Sequence, residues 1–150
     1  FDNTLFVFVA DHGESMNDPY SMPLTYHHIP LIFYSPKWLD KPKSFSNPGG
    51  QMDVYPTIMG LLNLPYMNTT MGVDMISTPR PSIYFCADDK FGVLNDSWYL
   101  IVHQNGIETL HKYSEQDDQD YLDQYPNLVT ELKSYAQSHM QTTQWIIKKP

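Results

Sequence analysis

The chain has 150 residues, a length that suits one domain with a sizeable apolar core. Its net charge of −8 argues against nucleic acid or an anionic membrane surface as the main partner, because both repel an acidic protein. The single cysteine, Cys86, excludes an internal disulfide, and nothing in the sequence indicates a cysteine-based metal site. No apolar run approaches the roughly 20 residues that span a bilayer, and no signal peptide is visible.

The first predicted element is a strand over residues 5–9, whose unbroken run of Val and Phe is typical of a parallel strand buried on both faces. It leads directly into Asp11, His12 and Gly13, at the strand end where open α/β sheets bind ligands. A carboxylate beside a neutral imidazole suits a divalent cation such as Zn or Mn, and the glycine allows a sharp turn. The alternative is an ordinary turn with a solvated histidine.

Further along the first half, a polar and proline-containing loop over residues 16–26 is predicted to border the site. Residues 28–36 form a second short apolar run that ends in proline and predicts another strand. A surface connection without periodicity covers residues 38–50. A helix is then predicted to begin at Asp53, whose side chain suits an N-cap, and to stop at Leu64-Pro65.

The second half has the pattern of a small antiparallel sheet followed by a helix. Short strands are predicted over residues 83–87, 98–103 and 108–113. Asn95-Asp96 and Asn105-Gly106 supply the turn chemistry, and the second pair is a strong hairpin signal. From Asn127 onward apolar side chains recur at helical spacing, which predicts an amphipathic terminal helix as far as Ile147.

Three segments, in order along the first half, carry a family resemblance. They are the strand and turn over residues 2–15, the strand His28-Ile29-Pro30-Leu31-Ile32, and the helix start Asp53-Val54-Tyr55-Pro56-Thr57. They resemble the metal-binding strand, the "His/Arg, Val/Ile, Pro, apolar" strand and the "Asp, x, x, Pro-Thr" helix of the sulfatase-like branch of the alkaline phosphatase superfamily. Gly72-Val73-Asp74 is similar to the short segment that usually follows, whereas residues 82–150 match only in their succession of strands and helix.

The resemblance implies an α/β fold that is the C-terminal part of an alkaline-phosphatase-like sandwich. Residues 1–81 would belong to the α/β catalytic domain, with its parallel-sheet strands and helix. Residues 82–150 would form the small antiparallel sheet and terminal helix of the same domain. In this family an alkoxide nucleophile and a further metal carboxylate lie far upstream of the Asp-His strand. The chain therefore looks like the C-terminal piece of a longer enzyme, and its expected partner is the upstream half of the same domain.

The implied activity is cleavage or transfer of a phosphate or sulfate ester with a divalent metal ion, Mn, Zn, Mg or Ca. Asp11 and His12 are the implied metal ligands. His28 or His27 is expected to donate a hydrogen bond to a non-bridging oxygen or to the leaving group, with His28 favoured because it precedes the Ile-Pro strand. Glu14 is a candidate to orient the His12 ring, the alternative being an exposed turn glutamate.

One difference from the arylsulfatase pattern indicates which branch of the family the chain resembles. Arylsulfatases usually place a Lys and an Arg between the Asp-His-Gly turn and the proline-containing strand, whereas this chain has neither between His12 and Lys37. Its adjacent histidines favour the lipoteichoic-acid-synthase-like phosphoglycerol transferases and their phosphoethanolamine-transferase relatives. That branch implies an extracytoplasmic catalytic domain, in the cell envelope or periplasm, anchored by transmembrane helices. The alternatives are an arylsulfatase-like hydrolase acting on a glycan, and a non-catalytic module that binds glycans or a protein through aromatic side chains.

Overall fold

The computed structural model describes residues 1–148 and divides into two units, Phe1–Phe45 and a larger one that begins at Ser46. The first unit contains two strands and a single-turn helix. The second contains a helix, a four-stranded sheet and a long terminal helix. Within the described part of the chain, no helix is both long enough and apolar enough to cross a membrane.

In the first unit, strand β1 (Phe6–Val9) pairs with strand β2 (Leu31–Tyr34), and helix α1 (Leu24–His27) lies between them in sequence. The two strands run antiparallel, with Val7 opposite Phe33. The prediction of a parallel arrangement is therefore wrong for this pair. An apolar run indicates burial of a strand, but it carries no information on the direction of the strand's neighbour.

The β1–β2 ribbon is only partly covered within the described residues. Phe8 is 54% exposed on one strand and Ile32 is 53% exposed on the other. The rings of Phe1 and Phe6 lie 5.5 Å apart and cover part of the ribbon. The expected burial of β1 on both faces is thus not met by this chain, because two strands alone offer too little surface to cover each other.

We expect the 150-residue chain, expressed alone, to dimerise or aggregate through this ribbon. An exposed apolar strand pair presents both unpaired backbone groups and apolar side chains to a second chain. Light scattering over a concentration series would measure the association. Phe8→Lys should reduce it, whereas Phe45→Lys, at a phenylalanine that is 48% exposed outside the ribbon, should not. A wild-type chain that stays monomeric throughout would contradict the expectation.

The second unit begins with a short 3₁₀ turn, Gln51–Asp53, that continues into helix α2 (Val54–Leu61). This confirms the predicted helix in this region. Asn63 follows it with a φ of 51°, and the N–H of Leu64 donates to the Met59 carbonyl oxygen at 3.0 Å. A left-handed asparagine directly after the last turn is a common way to end a helix.

The sheet of the second unit is an antiparallel meander in sequence order. Its strands are β3 (Ile83–Ala87), β4 (Lys90–Leu94), β5 (Tyr99–His103) and β6 (Glu108–His111). The predicted strands are confirmed, but β4 was missed. The turn before it contains Asp88, with a φ of 48° and no neighbouring glycine to signal a hairpin, and Gly92 weakens the strand pattern. A Cβ at Gly92 would lie 2.7 Å from the Tyr99 ring, so the glycine is needed there.

The core lies between this sheet and the terminal helix α3 (Pro126–Lys148), which confirms the predicted closing helix. Fully or nearly fully buried side chains from both elements form it: Val93, Leu100 and Leu110 from the sheet, and Val129, Leu132 and Ala136 from the helix. The fold class is therefore confirmed as mixed α/β with a small antiparallel sheet and a terminal helix.

Candidate functional site

Asp11 and His12 lie in the turn that follows β1, and both side chains face solvent. The Asp11 side chain is 89% exposed and that of His12 is 52% exposed. The backbone N–H of His12 donates to Asp11 Oδ1 at 2.9 Å, and His12 Nε2 lies 3.6 Å from Asp11 Oδ2. The hydrogen bond from the His12 N–H lowers the pKa of Asp11, so this carboxylate is anionic at neutral pH.

The second nitrogen of the His12 ring fixes its tautomer. His12 Nδ1 lies 2.8 Å from the Gly13 carbonyl oxygen, and because a carbonyl only accepts, Nδ1 is the nitrogen that carries the proton. In the neutral ring, Nε2 then keeps its lone pair on the side of Asp11. The Gly13 carbonyl thus orients the ring, which was the role predicted for Glu14. The Glu14 residue is exposed, and its role stays a prediction.

Gly13 brings the turn against the loop that carries the histidines. Its N–H donates to the Tyr26 carbonyl oxygen at 2.7 Å. A Cβ at this position would come closer than 3.0 Å to the Thr25 carbonyl oxygen, a separation that real Cβ atoms essentially never show. Position 13 therefore requires glycine because helix α1 lies so close to it. The sequence had predicted a different reason, the sharp turn after the strand.

We expect Gly13→Ala to lower the free energy of unfolding of the chain by about 1–3 kcal/mol, because the added methyl group forces the Thr25 carbonyl away. The same displacement should break the hydrogen bond to Tyr26 and shift the His12 resonances in an NMR spectrum. Gly50→Ala is the matched control, since a Cβ there meets its nearest atom at an ordinary 3.8 Å. Equal stability of the two variants would contradict the assignment.

The two loop histidines differ in their surroundings. Tyr26 stacks on the His12 ring, with centroids 4.7 Å apart and planes 13° apart. It meets the His27 ring edge to face at 5.3 Å. His27 is half-buried, and burial lowers its pKa. His28 directly follows α1 with an exposed side chain, and its N–H donates to the Leu24 carbonyl oxygen at 2.7 Å.

The loop between the turn and α1 has its own hydrogen-bonded frame. The Asp18 carboxylate accepts the N–H of Tyr20 at 3.1 Å and the N–H of Thr25 at 2.9 Å. The Thr25 hydroxyl contacts both the N–H and the carbonyl oxygen of Met16. Sequence reasoning missed Asp18, although an aspartate directly before proline is a recognisable turn signal.

Two neighbouring side chains of the turn have the chemistry of ligands for one divalent metal ion. Asp11 offers a carboxylate oxygen and His12 offers Nε2, 3.6 Å apart, and this pair of ligand types suits Zn or Mn. Among residues 1–148, no group of three or more His, Cys, Asp and Glu side chains is arranged to hold a metal. Two ligands leave most of a coordination sphere to water or to other groups.

Asp53 has a larger structural role than the helix cap predicted for it. Its Oδ2 accepts the N–H of Gly50 at 2.8 Å, which is a capping contact at the start of the helical segment. Its Oδ1 also accepts the N–H of Val73 at 2.8 Å. Both oxygens lie 2.9 Å from Nε of Arg80, and the Asp53 side chain is fully buried. The sequence pattern gave no sign of this pair.

Arg80 connects several parts of the second unit. Its guanidinium donates to the Met71 carbonyl oxygen and lies 3.5 Å from the Tyr135 hydroxyl on α3. Burial alone would lower the pKa of Arg80, but the hydrogen bonds and the charge of Asp53 outweigh that effect and raise it. In the sequence Arg80 is the sole arginine and stands between two prolines, a position that was read only as a break between elements.

A family model described as Sulfatase matches residues 1–64. The matched part contains the Asp-His-Gly turn, the loop with both histidines and helix α2. A search of curated proteins returns no significant match.

Solved structures share the fold over nearly the whole chain. Ps i-CgsB matches with a TM-score of 0.71 and 21% identity, over 97% of this chain and 37% of that one. Its complex with k-i-k-neocarrahexaose matches with a TM-score of 0.70 and 21% identity, at the same coverage. BT4656, in complex with its substrate D-Glucosamine-2-N, 6-O-disulfate, matches with a TM-score of 0.64 and 14% identity, over 99% of this chain and 35% of that one. The chain thus spans little more than a third of the length of these proteins.

Proposed function

We propose that the chain is part of a metal-dependent enzyme that cleaves a sulfate or phosphate ester, with Asp11 and His12 as two of the metal ligands. The observation that carries the proposal is the turn after β1, where a carboxylate oxygen of Asp11 and Nε2 of His12 lie 3.6 Å apart on exposed side chains. The Sulfatase family model covers this turn and supports the same class of reaction.

In this proposal each residue has a distinct task. The metal, when bound, supplies Lewis-acid catalysis by lowering the pKa of a hydroxyl nucleophile and neutralising charge on the transferred group. Asp11 contributes negative charge, and His12 contributes Nε2 while Nδ1 holds the ring to Gly13. His27 or His28 donates an N–H to an oxygen of the ester or to the leaving group. The nucleophile and further metal ligands come from an upstream half of the same domain.

The substrate we favour is a sulfate ester on a glycan. BT4656, which shares the fold, has a disulfated glucosamine as its substrate, and Ps i-CgsB has been solved with a neocarrahexaose. A second candidate is transfer of phosphoglycerol or phosphoethanolamine from a lipid head group. The observation in its favour is the absence of Lys and Arg between His12 and Lys37, where the adjacent histidines stand instead. An extracytoplasmic, membrane-anchored enzyme belongs to that second candidate.

The test is an assay of the protein that carries the upstream segment, with Mn, Zn, Mg or Ca added in turn. Its substrates would be a sulfated monosaccharide, a chromogenic sulfate, a chromogenic phosphate and a phosphoglycerol lipid. Metal-dependent release of sulfate supports the first candidate, and turnover of the lipid alone supports the second. Glycan binding without turnover, unchanged by His12→Ala, would instead indicate a binding module and reject both.

A further inference from the structure

The Tyr26 ring lies between two of the histidines assigned to the site. One face of the ring covers His12 at 4.7 Å with an interplanar angle of 13°, and His27 meets it at 5.3 Å with an angle of 82°. Tyr26 is 39% exposed and has no role in the chemistry described above.

We propose that Tyr26 is a positioning residue, whose ring fixes the planes of His12 and His27 relative to each other. The inference rests on the proposed function with His27, rather than His28, as the donor: the His12 imidazole binds the metal while the His27 imidazole donates to the ester. The His12 side chain is 52% exposed, so it would sample other rotamers without a contact to hold it.

The stack holds His12 without using the atoms that a metal needs. A ring contact occupies the face of the imidazole, whereas a metal bond uses the lone pair in its plane. The edge atom Nδ1 is held by the Gly13 carbonyl at 2.8 Å, and Nε2 remains on the side of Asp11. Face and edge contacts together fix the ring while leaving Nε2 available as a ligand.

The backbone of Tyr26 is anchored independently of its ring. Its carbonyl oxygen accepts the N–H of Gly13 at 2.7 Å, and the preceding N–H, that of Thr25, is held by Asp18. Removing the ring should therefore leave the loop in place while releasing the two imidazoles. Both contacts are made by the ring and not by its hydroxyl, so phenylalanine should replace tyrosine without loss.

The experiment compares wild type, Tyr26→Phe and Tyr26→Ala in the 150-residue chain. NMR should show cross-relaxation from the ring protons at position 26 to both imidazoles in wild type and Tyr26→Phe. The Zn²⁺ affinity is measured by calorimetry, and the site is defined as the binding that His12→Ala removes. Tyr26→Ala should weaken that affinity by about threefold to tenfold, the range expected from one aromatic contact. Tyr55→Ala, which removes an exposed tyrosine from a ring pair with Tyr66, should leave it unchanged.

Different results would reject the metal site and the positioning role of Tyr26. If wild type and His12→Ala bind Zn²⁺ equally, the metal site itself is rejected, and the role of Tyr26 toward it falls as well. If His12→Ala removes Zn²⁺ binding but Tyr26→Ala binds Zn²⁺ as tightly as wild type, only the positioning role is overturned. In the enzyme with its upstream segment, Tyr26→Ala should lower kcat at saturating metal more than it changes KM, and Tyr26→Phe should restore it.

Discussion

Replacing Arg80 with methionine is expected to lower the free energy of unfolding by about 3–5 kcal/mol, because it leaves a buried carboxylate without its charged partner. The Asp53 side chain is 0% exposed and that of Arg80 is 8% exposed. Arg80 also donates to the Met71 carbonyl oxygen, so the variant loses a backbone partner as well. Urea unfolding followed by circular dichroism measures the effect.

Lys133→Met is the matched control, since it removes the cation of the ion pair with Glu108 on the sheet. There the side chains are 32% and 20% exposed, and we expect a cost of about 1 kcal/mol or less. The double variant Asp53→Asn with Arg80→Met should recover part of the lost stability, because a neutral amide is less costly to bury than an unpaired carboxylate. A single Arg80→Met variant as stable as Lys133→Met would show that the pair contributes little.

The second large effect concerns activity in the protein that carries the upstream segment. Asp11→Ala or His12→Ala should nearly abolish ester cleavage and leave the circular dichroism spectrum and melting temperature unchanged. Both side chains are more than half exposed, so their removal costs little apolar burial. His28→Ala, and likewise His27→Ala, should cost less, in the range of about 10²–10⁴-fold that one general acid–base contact contributes.

Asp40→Ala serves as the control, because it removes another exposed carboxylate from the same unit. Its turnover should match that of the unmodified enzyme. If His12→Ala keeps full turnover at saturating metal, His12 is not a ligand, and both the hydrolase and the transferase proposals fail.

Local patterns were sufficient where a few neighbouring residues decide the structure. The 3.6-residue spacing after Asn127 and the Asn105-Gly106 turn predicted α3 and the last hairpin, and Gly106 has the positive φ of 90° that this turn needs. The hairpin at Asp88 was missed because aspartate reaches a left-handed conformation without the glycine that usually announces one.

Such local patterns do not predict contacts between residues that are far apart in the sequence. Asp53 and Arg80 are separated by 27 positions, and no periodicity links them. The same limit applies to strand direction, since β1 and β2 read equally well as parallel or antiparallel strands. For the site, the adjacency of Asp11 and His12 is visible in the sequence, whereas the stacking of Tyr26 on His12 exists only after the loop has folded.

The terminal helix α3 is unevenly supported along its length. Its 23 residues extend for about 35 Å at the usual rise per residue, yet its buried side chains, Val129, Leu132 and Ala136, all lie in its first half. Trp145 and Ile147 near its end are 58% and 76% exposed. Amide hydrogens around Leu132 should therefore exchange with solvent only through global unfolding, whereas those beyond Met140 should exchange by fraying of the last turns. One continuous helix would thus show a protection gradient from its beginning to its end.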